Sequence, residues 1–236
     1  MLKKVLHVLD HVLYSEGIRC LLCGEPAYGE TFCGACRESL DRDRMQEPLC
    51  PRCGSEMKGE TCGFCAERQL PVMGIRSAWR YQDAAARLVA ALKFRSLTRA
   101  AECMAGPMAE AAQKLNLPQN TVVTWVTMPQ KRRRQRGIDH GRLIAEAVAG
   151  KTGLQVRQLL ERKAGSSEYS QRGLNAEERR RNLKGGFVGK DCRDIPVLLV
   201  DDVFTTGSTI SECAETLTAA GCSGVWALTA TRVTDE

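Results

Sequence analysis

The stretch Pro196 to Ser211, Pro-Val-Leu-Leu-Val-Asp-Asp-Val-Phe-Thr-Thr-Gly-Ser-Thr-Ile-Ser, constrains this chain more than any other. Val197 to Val200 is a short apolar run without alternation, the pattern of a strand buried on both faces within a parallel sheet. The run ends in Asp201 and Asp202, and small hydroxyl residues around Gly207 follow. Open α/β sheets bind ligands outside the carboxyl ends of their strands, where a loop and a helix N-terminus present free N–H groups. Thr205, Thr206, Gly207, Ser208 and Thr209 suit a phosphate there, because Gly admits a close approach and the hydroxyls add donors. The two acids would repel that anion unless they faced hydroxyls or a cation. A ribose 5-phosphate unit meets both demands, with its phosphate in the loop and its ring hydroxyls donating to the carboxylates. A P-loop is a poor competitor, since Gly-x-x-x-x-Gly-Lys-[Ser/Thr] does not occur.

Four Cys-x-x-Cys pairs form a second pattern: Cys20 and Cys23, Cys33 and Cys36, Cys50 and Cys53, Cys62 and Cys65. In Cys20-Leu-Leu-Cys-Gly and Cys50-Pro-Arg-Cys-Gly the Gly is the one a tight metal-binding knuckle requires. The repeat implies a double zinc ribbon with two four-thiolate structural sites, whose metal supplies folding energy that such small modules lack. Sequential pairing of the pairs is the reading adopted; interleaving of the first pair with the third is the alternative. Disulfides and a redox dithiol fit less well, because no secretory signal appears and the pairs repeat. Cys103, Cys192, Cys213 and Cys222 lack such spacing and read as small buried residues.

With 236 residues, 43% of them apolar, the chain has enough material for a proper core. No apolar window reaches the roughly 18 residues of a membrane span, and Leu2 to Leu13 is interrupted by Lys3, Lys4, His7, Asp10 and His11. A cytoplasmic location is the expectation. The net charge of +6 is uneven: between Lys131 and Lys184, 15 Lys or Arg stand against 6 Asp or Glu. That segment favours a polyanion, unless it is simply a solvated helix face.

Three domains are expected: an amphipathic helix over 1–19, the ribbons over 20–68 and an α/β domain over 72–236. Within the last, the patterns predict a strand at Val72 to Tyr81, a helix capped by Asp83 that runs to Lys93 and Phe94, and a second helix from about Thr98 to Leu115. A core strand, Thr121 to Met128, leads into Pro129 and a basic loop, Lys131 to Gly137, placed on the same sheet edge to hold a second anion through arginine forks. A helix Asp139 to Ala149 and a strand Leu154 to Leu160 follow. The polar stretch Ala164 to Arg172 reads as a mobile lid or plain disorder, with a capping box at Asn175 to Glu178. A helix Thr209 to Ala219 and a strand Val225 to Thr231 close the chain.

The stretch from Pro196 resembles the signature of type I phosphoribosyltransferases, which use phosphoribosyl pyrophosphate (PRPP). With the cysteine pairs, Leu92-Lys93-Phe94, Arg134-Gln-Arg-Gly137, Gln171-x-x-Leu174, Arg179, Asn182 and Phe187, the chain resembles the ComF/GntX family across nearly its whole length. The resemblance implies a double zinc ribbon before a parallel-sheet phosphoribosyltransferase-like domain, with PRPP and magnesium as ligands and two structural zinc ions. It also implies a part in handling imported single-stranded DNA; the basic face would meet single-stranded DNA itself, and ribbons acting as an adapter would recruit an uptake helicase. In that frame Asp201 and Asp202 hold the ribose hydroxyls and Thr205 to Thr209 the 5-phosphate. Pro129, Arg132, Arg134, Arg136, Gly137, Arg162, Lys163 and Gln171 form the pyrophosphate and hood side. Where the family continues Arg-Gly-Phe-Asn-Gln, this chain has Arg136-Gly137-Ile138-Asp139-His140, and His140 reads as a surface residue at a helix start. No residue announces the acceptor, so transfer chemistry stands beside a non-enzymatic PRPP or nucleotide sensor and a zinc-organised adapter.

Overall fold

The computed structural model describes residues 18–163 and 186–234. Nearly all of the amphipathic helix expected over 1–19 lies outside those residues, as do the expected lid, Gln171 and the capping box at Asn175. In chain order the described elements begin with α1 (Gly34–Arg42), α2 (Gly63–Glu67), β1 (Gly74–Arg80), α3 (Asp83–Phe94), α4 (Arg99–Gln113) and β2 (Val122–Trp125). There follow α5 (Gln130–Arg136), α6 (His140–Thr152), β3 (Gln155–Val156), β4 (Leu160–Arg162), β5 (Phe187–Gly189), β6 (Pro196–Phe204), α7 (Ser208–Ala219) and β7 (Gly224–Arg232).

Five parallel strands make the main sheet in the order β1-β7-β6-β2-β3. The central strand β6 alternates between two cores. Leu198 and Val200 join the helices α3, α4 and α6, while Val197 and Leu199 join α7 and the small antiparallel sheet β4-β5. Burial on both faces is what its apolar run demands. The parallel α/β domain and the preceding double ribbon are thus both present.

Several local expectations are revised. The strand expected to stop at Val200 runs on through both acids to Phe204, because its ladder with β7 continues as far as Phe204 and Arg232. The basic stretch after β2 is a helix, α5, rather than a loop; it opens after Pro129 and closes on Gly137 at φ 75°. Gln, Lys and Arg are good helix formers with no β-branched residue among them, and proline and glycine at the ends set its limits. The single strand expected at Leu154 to Leu160 divides into β3 and β4, which belong to different sheets. The Leu159 N–H donates to Thr124 Oγ1 at 3.1 Å where the chain changes sheets.

Asp83 opens α3 but does not cap it. The N–H of Ala85 donates instead to Asp43 Oδ2 at 3.0 Å, so a buried acid from just beyond the first ribbon caps a helix of the sheet domain. Trp79 Nε1 likewise donates to the Leu40 carbonyl at 3.0 Å. Cys20, Leu21, Leu22 and Cys36 share one buried cluster with Leu88, Val89 and Leu92 of α3. The first ribbon is therefore part of the core wall on that face.

Candidate functional site

From β2 the sheet proceeds outward to β3, whereas from β6 it proceeds the other way to β7. The carboxyl ends of β2 and β6 thus flank the point where the strand order reverses, and a crevice opens there in sheets of this kind. Thr205, Thr206 and Gly207 turn the chain out of β6 into α7. Gly207 takes φ 80° as the N-cap residue, Thr206 Oγ1 and Ser208 Oγ are 2.8 Å apart, and no side chain caps α7 from Gly207. Thr209 lies in the first turn of α7. Pro129, Arg132, Arg134, Arg136 and Gly137 all leave the end of β2 on or beside α5. Arg162 ends β4 on the small sheet, and the Lys163 N–H donates to the Gly186 carbonyl at 3.0 Å.

Strand alternation turns the two acids to opposite faces of the sheet. Asp202 is buried among α3 and α6, its Oδ1 2.7 Å from Lys93 Nζ and its Oδ2 2.9 Å from His140 Nε2. Burial alone would raise this carboxyl, but Lys93 and His140 outweigh it and hold Asp202 well below the usual carboxylate range. Asp201 points toward Arg162 and Cys213 and is half-buried, its Oδ1 accepting the N–H of Asp202 at 2.9 Å. Burial, then repulsion from Asp202, pushes it up to about 7. The two acids expected to hold one sugar ring therefore stand on opposite faces of β6, with different partners. Asp201 shares its face with Arg162, and Asp202 lies against α3 and α6.

Lys93 and His140 are the residues sequence reasoning missed. In sequence Lys93 carries no role beyond its place in Leu92-Lys93-Phe94, and the start of a helix reads as surface for His140. Only the packing of α3 and α6 on one face of β6 makes a buried carboxylate their common partner. Asp139 does cap α6, accepting the Arg142 N–H at 3.2 Å, and its other oxygen lies 3.4 Å from Trp125 Nε1.

Arg162 lies over the Phe187 ring at 4.3 Å, and its Nε is buried without a hydrogen-bond partner. Burial and the nearby Arg132 draw its guanidinium below the ordinary range, against the opposing pull of Asp201 and Glu212. Two arginines, one after β2 and one on the small sheet, are thus brought close enough to repel each other. An anion between them would relieve that repulsion.

The cysteines gather as Cys20, Cys23, Cys33 and Cys36, and as Cys50, Cys53, Cys62 and Cys65, with the ligand atoms of each group within 4.8 Å of one another. That is the sequential pairing. Sulfurs about 2.3 Å from a tetrahedral zinc lie about 3.8 Å apart. The closest approaches here are 3.6 Å for Cys23–Cys33, 3.8 Å for Cys50–Cys65 and 3.4 Å for Cys53–Cys62. Burial opposes ionisation of Cys20 and Cys50, but backbone N–H groups of Cys23 and Cys53 outweigh it and bring them to about 6 and about 7. Both groups fit zinc. The two knuckles repeat bond for bond: Gly24 and Gly54 donate to the Cys20 and Cys50 carbonyls at 2.9 Å, each with a positive φ.

Residues 9–67 match the model of the double zinc ribbon domain. The DNA utilization protein YhgH of Salmonella typhimurium is 30% identical over 221 residues, covering 89% of this chain and 95% of that protein. Competence protein F of Haemophilus influenzae is 28% identical over 212 residues, covering 84% and 89%. The chain belongs to the ComF/GntX family. Solved structures resemble it only loosely. The allosteric regulatory enzyme of purine biosynthesis aligns at TM-score 0.37 and 18% identity, over 55% of this chain and 25% of that one. The Trypanosoma cruzi hypoxanthine phosphoribosyl transferase aligns at 0.33 and 11%, over 60% and 70%. No described helix is long and apolar enough to cross a membrane.

Proposed function

We propose that the carboxyl edge of the sheet binds PRPP with magnesium, as a phosphoribosyltransferase-like site serving DNA utilisation. The observation that carries this reading is the turn Thr205 to Gly207, which follows Asp201 at the end of β6 and opens α7 at a left-handed Gly207. The N–H groups and hydroxyls of Thr205 to Thr209 hold the 5-phosphate, where the helix dipole favours an anion. Arg132, Arg134 and Arg162, with Lys163, take the pyrophosphate, whose negative charge removes the repulsion between the guanidinium groups. Magnesium, when bound with the ligand, neutralises charge on the leaving oxygens. Asp201 is the acid that faces ribose hydroxyl or metal, and Lys93 and His140 hold Asp202 so that the strand end keeps its position.

A second reading draws on the same geometry. With both oxygens of Asp202 engaged by Lys93 and His140, one acid rather than two serves the sugar, which favours a PRPP sensor over an efficient transferase. Calorimetric titration with PRPP and magnesium, followed by pyrophosphate release against a panel of bases, separates the two. Binding with release supports transfer; binding without release supports the sensor; no binding of PRPP or ribose 5-phosphate removes both. The basic helix α5 and the relatives' names support contact with DNA phosphates. That contact should weaken steeply with salt.

A further inference from the structure

The two cysteine centres are set into the molecule differently. The first lies on α3, away from the phosphate loop. The second is stitched to the sheet beneath that loop. The Ile75 N–H donates to the Arg52 carbonyl at 2.9 Å, and Arg76 Nη1 donates to the carbonyls of Cys50 and Pro51 at 3.3 and 3.1 Å. From the end of β7, Arg232 donates through Nη1 to the Cys53 carbonyl at 2.9 Å and through Nη2 to Ser55 Oγ at 2.5 Å. Arg232 is 3% exposed, and among the described residues its polar contacts are this carbonyl and hydroxyl rather than a carboxylate. A buried guanidinium needs a counter-charge. Four thiolates around one divalent cation carry a net negative charge, and they stand directly beside it.

The same guanidinium lies over two rings, 4.7 Å from the centre of Phe64 on α2 and 4.4 Å from that of Phe204, and the rings are 5.6 Å apart. Phe204 is the last residue of β6, and Thr205 follows it. A second contact reaches the loop from the same side. A Cβ at Gly207 would meet Leu70, on the chain leaving α2, at 2.9 Å, so Leu70 already fills the space beneath the turn.

We infer that the second cysteine centre positions the phosphate loop, with Arg232 as the positioning residue that links metal occupancy to Phe204. The inference rests on reading Thr205 to Thr209 as a phosphate cradle. Zinc at Cys50, Cys53, Cys62 and Cys65 orders the knuckle carbonyl and supplies the counter-charge that holds Arg232 between the rings. The neighbours of the first centre are α1, α3 and the start of α4, and among the described residues no arginine links it to Phe204.

The test uses the full chain, with zinc content by elemental analysis, ribose 5-phosphate titration, and amide hydrogen exchange compared between residues 205–209 and the strand core 198–200. Arg232→Lys retains a charge but loses the fork and the flat stack. It is expected to keep both zinc ions, to weaken ribose 5-phosphate about ten- to a hundredfold, as for other groups supporting a site from behind, and to speed exchange in the loop while the strand core is unchanged. Phe64→Leu should shift the loop in the same direction, and Cys62→Ser should do so with one zinc lost. Cys33→Ser should lose one zinc and change loop exchange less than Cys62→Ser does. Unchanged loop exchange in an Arg232→Lys chain carrying two zinc ions overturns the inference, as does exchange that rises equally in loop and strand core. If the unaltered chain fails to bind ribose 5-phosphate while loop exchange still responds to Arg232→Lys, the phosphate reading fails and the coupling stands.

Discussion

Asp202 is a buried carboxylate whose two oxygens lie 2.7 Å from Lys93 Nζ and 2.9 Å from His140 Nε2. Removing one partner from such a buried group costs about 3 kcal/mol, because the remaining charge is left under-compensated. Lys93→Met is therefore expected to lower stability by about that amount in denaturant unfolding, with the loss seen at neutral pH. Asp202 contributes stability above the unfolded carboxyl value of about 4 and loses it as pH falls through its depressed folded value. The deficit of Lys93→Met should accordingly shrink in acid. Asp201 has the opposite sign. Its raised folded value, about 7, means that its contribution is full below about pH 4 and is lost as pH rises through 7. A carboxyl neutral below about 7 attracts a cation only above it. PRPP affinity in the presence of magnesium should rise between about pH 6 and about pH 8, and Asp201→Asn should flatten that rise relative to the parent chain.

At the scale of elements, the two ribbon knuckles share a sequence pattern but not an environment. Gly54 sits at φ 71° with the Ile75 carbonyl 2.6 Å from where a Cβ would stand, whereas nothing lies within 4 Å of the same point at Gly24. Gly24→Ala should cost only the left-handed backbone penalty, about 1 kcal/mol. Gly54→Ala adds a clash with backbone that cannot rotate away and should cost about 2 kcal/mol more; the difference is measured by thermal unfolding of the zinc-loaded chain. Elements also show where local pattern reading stops. Strand β3 and strand β4 follow each other closely in sequence, yet one pairs with β2 and the other with β5 across the small sheet. Period alone cannot assign a partner, because the choice depends on which backbone groups are free in the folded molecule.

For the molecule as a whole, the ribbons are structural walls. Cys20, Leu21, Leu22 and Leu40 lie in the same buried cluster as α3 and α4, and Asp43 caps α3. Elemental analysis should find two zinc ions per chain. Their removal by a chelator should lower the cooperative melting temperature of the sheet domain itself, accompanied by a red shift of tryptophan emission as Trp79 loses its Leu40 partner. A sheet domain that melts unchanged after zinc removal would show the ribbons to be separable. The cysteine spacing, the apolar run of β6 and the hydroxyl loop were legible without coordinates, because each rests on neighbours within a few residues: a knuckle needs its glycine, and a buried strand needs unbroken apolar side chains. What the fold alone decided is which distant groups meet. Lys93, His140 and Asp202 come from three separate elements, as do Phe64, Phe204 and Arg232, and the split of the two acids onto opposite faces follows from β6 continuing its ladder with β7. Local chemistry is written in adjacent residues, whereas charge partners and the facing of a carboxylate are set by packing and strand pairing between segments far apart in the chain.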